Sequence, residues 1–367
     1  MNRLSKHALS VFLSFFCFSQ FVYSVDLQED QTTAFLFSKP PSKSRRLKDS
    51  DSDMFLASCV DNSKCCKQFY IGAELLYFSA IEDSLVYSNR LPQSSIGVVT
   101  STAIEQTWKY NPSGRVCFLF PVYFDEWSIG TSWTYVANHP QQTNAYSSIY
   151  DLYASMIPPS LTSNGNAYVN RVSGQWRLWM NVFDLTLERS FMLSKGCKFT
   201  PLFGIEGASI RQTTHVVYSD FDIVSSSANT PQDIRGKNKS WGVGPQLGLD
   251  LAFMMPQNFT ISFLTSFASL YGQARMKTDY SDLLGLSADN SISFVARKTR
   301  LFSKVQVRAV AEKKWCWCET ALALSAGWET QVWFRQLRLD YFSTMGHPPN
   351  GSDLTLQGPF AQLALSF

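Results

Sequence analysis

The stretch Gln362-Leu363-Ala364-Leu365-Ser366-Phe367 decides the fold. Successive side chains of a strand face opposite sides. Leu363, Leu365 and Phe367 therefore share an apolar face, and Gln362, Ala364 and Ser366 share a small or polar one. A chain that ends on an aromatic strand residue and opens on a secretory signal reads as a bacterial outer-membrane β-barrel. In that reading Leu363, Leu365 and Phe367 are the assembly signal, offered to the barrel-assembly machinery, and outer-membrane lipid is the other partner.

The N-terminus agrees with the ending. Arg3 and Lys6 precede an apolar run from Ala8 to about Tyr23, and Val22 and Ser24 are small residues at the spacing of a cleavage site. Residues 1–24 are read as a signal peptide. Bulky Phe16 before Cys17 argues against a lipid anchor. Losing Arg3 and Lys6 lowers the formal charge by two from +3, to a balance that gives no reason to expect nucleic acid as a partner. Residues 25–66 carry Lys39-Pro40-Pro41-Ser42-Lys43-Ser44-Arg45-Arg46 and Asp49-Ser50-Asp51-Ser52-Asp53, with little to bury. They read as a disordered periplasmic segment, and 67–367 as the barrel.

After the signal, no segment has the roughly 18 consecutive apolar residues of a spanning helix. Aromatics are nonetheless 14% of the chain, as in barrels, which spread apolar residues by alternation and gather aromatics at the two interfaces. A secreted β-sandwich also alternates, so periodicity alone leaves both open.

Strands can be read by parity. Trp241, Val243, Leu247, Leu249, Leu251 and Phe253 oppose the Gly-rich row Gly242, Gly244, Gln246, Gly248 and Asp250. Leu322, Leu324, Ala326, Trp328, Val332 and Phe334 oppose Ser325, Gly327, Glu329 and Gln331. Residues 173–193 change apolar parity near Phe183, which predicts a bulge or bend. Connections alternate in length. Residues 121–125, 194–197, 254–257 and 313–318 are short; 81–114, 137–172, 212–239, 275–297 and 335–355 are long. Short periplasmic turns and long outer loops are the barrel pattern, and a sandwich has no reason to produce it. The expectation is an all-β, transmembrane up-and-down antiparallel barrel of about 10–12 strands, the upper figure allowing for a hairpin inside 137–172.

Gly242-Val243-Gly244-Pro245-Gln246-Leu247-Gly248-Leu249-Asp250, followed by Ser269-Leu270-Tyr271-Gly272, resembles a hairpin of the Legionella-type major outer-membrane protein family, which also occurs in chlamydia-like bacteria. Ser325-Ala326-Gly327-Trp328-Glu329-Thr330-Gln331-Val332-Trp333-Phe334 resembles its penultimate strand, and Leu354-Thr355-Leu356-Gln357-Gly358 the entry to its last. Phe183-Asp184-Leu185-Thr186-Leu187-Glu188-Arg189 is similar to its central strand. The resemblance covers roughly Phe69 to Phe367 and implies a porin-like barrel passing small solutes, in the bacterial outer membrane.

Charged residues on the non-lipid parities are the pore-lining candidates: Glu74, Arg177, Glu206, Asp250, Lys304, Arg308 and Glu329. A charge facing lipid at mid-membrane costs about 2–4 kcal/mol, so inward is the expected direction. Their mixed signs predict weak charge selectivity. The alternative is a set of internal ion pairs that fills a narrow barrel, since interiors of about eight strands are just filled by side chains. A structural or adhesive barrel binding host surfaces through its outer loops is a second function class. An outer-membrane hydrolase is a third, and an enzyme is not expected. His139, His215 and His347 fall in predicted outer loops without a nucleophile motif. No cofactor or metal site is legible; Trp315-Cys316-Trp317-Cys318 is too short for a four-cysteine zinc site.

Without Cys17, seven cysteines remain: Cys59, Cys65, Cys66, Cys117, Cys197, Cys316 and Cys318. The predicted topology puts all of them on the periplasmic side, an oxidising compartment, so each is a disulfide candidate. They would staple the N-terminal segment to the turns, or link the protein to other envelope proteins as chlamydial envelopes are described. Homo-oligomers enter only by analogy with porin trimers.

Overall fold

A computed structural model describes residues 69–82, 85–90, 102–122, 127–147, 152–156, 168–194, 196–222, 231–282, 292–317, 320–337 and 352–367. The readings of 1–24 and 25–66 lie outside them, as do Cys59, Cys65, Cys66, Cys318 and His347.

The chain forms a closed ten-stranded antiparallel barrel, the all-β up-and-down fold expected from the alternation. Its strands are β1 (Tyr70–Glu82), β2 (Tyr110–Pro121), β3 (Trp127–Asn138), β4 (Tyr168–Arg189), β5 (Cys197–Asp222), β6 (Gln232–Met255), β7 (Phe259–Asp282), β8 (Ile292–Trp317), β9 (Thr320–Leu337) and β10 (Ser352–Ser366). Each pairs with its neighbours in sequence, and β1 closes on β10 in the register Ala73↔Leu363, Glu74↔Gln362. Closure satisfies every strand edge, the condition for backbone to cross lipid. The backbone amide of Phe367 adds a last bond to the Phe69 carbonyl, at 3.0 Å.

Parity holds around the wall. Val243, Leu247, Phe263, Leu301, Leu324, Leu363, Leu365 and Phe367 are exposed on the outer surface, and the residues between them point inward. Among the described residues no hairpin forms within 137–172; two short segments instead continue the ladder of β3 along β4. Thr143–Tyr146 and Leu152–Ala154 pair with the outer part of β4, which leaves ten barrel strands.

The strands run further outward than their apolar rows. β5 and β8 have 26 residues each, and β6 and β7 have 24, roughly twice the 9–11 a bilayer requires. His215, expected in a loop, therefore lies in β5. Beyond the membrane the ladder continues while the outer face turns polar, so the outward apolar row stops before the strand does.

No bulge interrupts β4 near Phe183. β4 pairs with β5 without a register shift from Leu202↔Glu188 to Ser219↔Arg171. The apolar parity changes because the inner face itself turns apolar there: Trp176, Leu178, Met180 and Val182 point inward and are buried.

Candidate functional site

The barrel interior is layered, and the first layer is set by cross-strand register. Glu74 of β1 sits opposite Arg115 of β2, and Arg308 of β8 sits opposite Glu329 of β9. The side chains meet across the lumen. Arg115 Nη1 donates to Glu74 Oε2 at 3.0 Å and to Glu329 Oε2 at 2.8 Å, and its Nη2 donates to Glu329 Oε1 at 2.7 Å. Arg308 Nη2 donates to Glu74 Oε1 at 2.9 Å, and its guanidinium stacks over the Phe360 ring at 3.9 Å. Gln306 and Gln331 donate to Glu329 Oε1 at 3.0 and 2.6 Å, and Thr134 Oγ1 receives the Arg115 Nε bond at 2.7 Å. The two carboxylates and two guanidinium groups balance in charge, and forked Arg–carboxylate bonds are the strong kind. Beside them Lys304 Nζ lies 2.5 Å from Glu206 Oε2 and 5.3 Å from the Trp333 ring centroid.

On the short-turn side of this lattice is a polar cavity of about 340 Å³, lined in part by Tyr70, Asp184, Glu188, Asp250 and Glu312. On the other side is an apolar layer. Leu76, Phe78, Trp176, Met180, Phe302 and Trp333 are all 0–2% exposed and belong to one packed cluster. Further out a second cluster, including Tyr87, Leu152, Val216, Tyr218 and Tyr280, is packed inside the extended strands. Tyr218 Oη donates to the Tyr87 carbonyl at 2.5 Å, and Tyr87 Oη donates to Gln106 Oε1 at 2.6 Å.

Six of the seven predicted inward charges line the interior. Glu74, Glu206, Lys304, Arg308 and Glu329 are buried there, and Asp250 faces the cavity. Arg177 does not. It is exposed on the outer face of β4, between inward Trp176 and Leu178, and its Nη2 donates to Gln175 at 3.1 Å. The expected parity change assigned it to the wrong face; the unbroken strand corrects that. Asp184 and Glu188 also line the cavity; they alternate with outward Phe183, Leu185 and Leu187, which is the signal that marks them as inward. Arg115 joins them on the inward parity of β2, alternating with Val116 and Phe118.

Cys197 opens β5 and Cys316 lies in the last turn of pairing of β8, both at the short-turn end. Cys117 faces the cavity, where its Sγ lies 3.7 Å from Glu74 Oε1. No disulfide joins two described cysteines. His139 packs against Trp179 with ring centroids 5.1 Å apart, and His215 Nε2 lies 2.8 Å from Asp233 Oδ1 on the outer face of the extension.

The family model described as Legionella pneumophila major outer membrane protein precursor matches residues 62–367, which span the whole barrel. The chain belongs to the Legionella major outer membrane protein family. It is a protein of the bacterial outer membrane. No curated protein matches it significantly. Solved structures similar in fold include the outer membrane protease OmpT of Escherichia coli, at 10% identity and TM-score 0.38, covering 82% of this chain and 97% of that one. The attachment invasion locus protein Ail of Yersinia pestis has 9% identity and TM-score 0.23, covering 82% and 98%. A Pseudomonas aeruginosa FadL homologue has 6% identity and TM-score 0.25, covering 82% and 90%.

Proposed function

We propose that this family member is a structural, surface-presenting barrel of the outer membrane whose lumen is closed in its folded state. The observation that carries this is the stacking of two apolar layers on an ion-pair lattice. An open pore needs a continuous wet path, and the buried Trp176, Trp333, Phe302 and Phe78 are packed together inside the barrel where it would run. Strands twice the length of the bilayer then carry a folded surface into the space outside.

Porin-like passage of small solutes is the second reading, supported by the polar cavity and its walls of mixed sign. In that reading the apolar layer is a gate. Planar-bilayer recording of the refolded barrel separates the two. The closed-barrel reading expects no discrete conductance from the native chain, and openings from the Trp176→Ala/Trp333→Ala variant. Discrete openings from the native chain would establish the porin reading in its place.

A further inference from the structure

The outer face of β4–β8 changes character just beyond the apolar belt. Register places Phe183 and Gly207, Val243, Tyr271 and Leu301 in one row across these five strands. Two pleats further out the row reads Trp179, Arg211, Lys239, Arg275 and Arg297. The four cations lie directly opposite one another on adjacent strands, within roughly 14 Å at a strand spacing near 4.8 Å. All four are exposed. The Arg211 guanidinium lies 5.4 Å from the Trp179 ring centroid.

Like charges placed directly opposite in a sheet repel. No described carboxylate forms an ion pair with any of the four. Further out some cations are matched, since Arg235 and His215 both reach Asp233, at 2.6 and 2.8 Å, and Lys277 reaches Asp279 at 2.8 Å, while Lys237 extends the row's positive charge outward by one pleat. The row of four lies at headgroup depth. Trp241, one pleat nearer the belt, is exposed at the position of an interfacial girdle residue. A fixed line of positive charge at the lipid boundary complements a fixed density of anionic groups there.

We infer that this row binds the phosphates of lipopolysaccharide, the phosphorylated glycolipid of the outer leaflet, whose acyl chains would lie along the Val243–Tyr271–Leu301 surface. Basic residues near an anionic lipid surface each add to affinity, and guanidinium groups hold phosphate in forked pairs.

The test uses the full chain refolded in neutral detergent, with lipid A as the probe. Lipid A stripped of its phosphates and inorganic phosphate alone are the comparison arms. Binding is read by tryptophan fluorescence and by the rise in the thermal unfolding midpoint. The native protein is expected to prefer phosphorylated over stripped lipid A at least about tenfold. The variant R211Q/K239Q/R275Q/R297Q should lose that preference while keeping heat-modifiable migration, and without lipid its midpoint should not fall, since repulsion is relieved. The exposed but distant K109Q should bind like the native chain. K239Q/R275Q, which removes the two central charges, gives the same comparison if the fourfold variant does not fold. Equal binding of the two lipids by the native chain, or a preference that survives in the variants, would overturn the inference. Displacement of lipid A by millimolar inorganic phosphate would overturn it in favour of a free-anion site.

Discussion

Glu329 has no exposed surface and accepts bonds from Arg115, Gln306 and Gln331. Removing one partner of a buried ion pair costs about 3–5 kcal/mol, because the charge left behind is unmatched. Glu329→Gln keeps the shape and removes the charge, leaving Arg115 and Arg308 to share Glu74. Its urea unfolding midpoint in lipid vesicles should fall by an amount of that order. Cys117→Ser, at the edge of the same lattice, should shift it far less, because its single sulfur contact is long. Most of this lattice was legible at residue level: Glu74, Arg308 and Glu329 sit on the polar parities of their strands. Their pairing was not. Arg115 and Glu329 are 214 residues apart, and closure through β1 and β10 brings them together.

The β6–β7 hairpin shows at element scale why its sequence is glycine-rich. Gly242 and Gly272 face each other in register. A Cβ on Gly272 would stand 1.8 Å from the Trp241 carbonyl oxygen and 2.5 Å from Gly242 Cα, so the strands approach more closely than any side chain allows. Gly272→Ala should destabilise the barrel by roughly 1–3 kcal/mol. The check is the folded fraction by heat-modifiable electrophoresis, with outward Gln273→Ala as a near-neutral control. The outer extension makes a different prediction. Burial pushes the Tyr280 phenol up to about 12, and burial also raises Tyr87 and Tyr218. A raised phenol contributes stability that is complete below its unfolded value near 10 and is lost as pH climbs through the folded one. The outer cluster should therefore hold to about pH 10 and loosen towards pH 12, seen as a late phase in the phenolate absorbance that Tyr280→Phe reduces.

For the whole molecule, the parity that makes the barrel also sets what each face touches. Leu247 is 53% exposed on the outer surface, at belt level, and Lys237 is exposed on the same strand further out. In intact cells a membrane-impermeant thiol reagent should label Lys237→Cys above the native background and leave Leu247→Cys unlabelled. Labelling of Leu247→Cys would mean that this face meets water, and the barrel would not sit in lipid as described.

The alternation of apolar and polar residues, read directly, determined the fold class, the lipid face and the order of short and long connections. Those properties are local, because each depends on a strand two residues in period and on the turn that follows it. Three things were decided by the tertiary structure. The apolar inner face at Trp176–Val182 mimics a parity change, and only its cross-strand register assigns it to the lumen. Strand ends beyond the membrane lose the outward apolar row, because their outer face meets water, and their apolar residues, such as Val216, Tyr218, Ile234 and Tyr280, pack inward instead. The charge row at Arg211, Lys239, Arg275 and Arg297 is drawn from four strands, and no single stretch of sequence contains it. Closure fixes how far each strand is staggered against the next, and that stagger, absent from any local pattern, decides which charges meet.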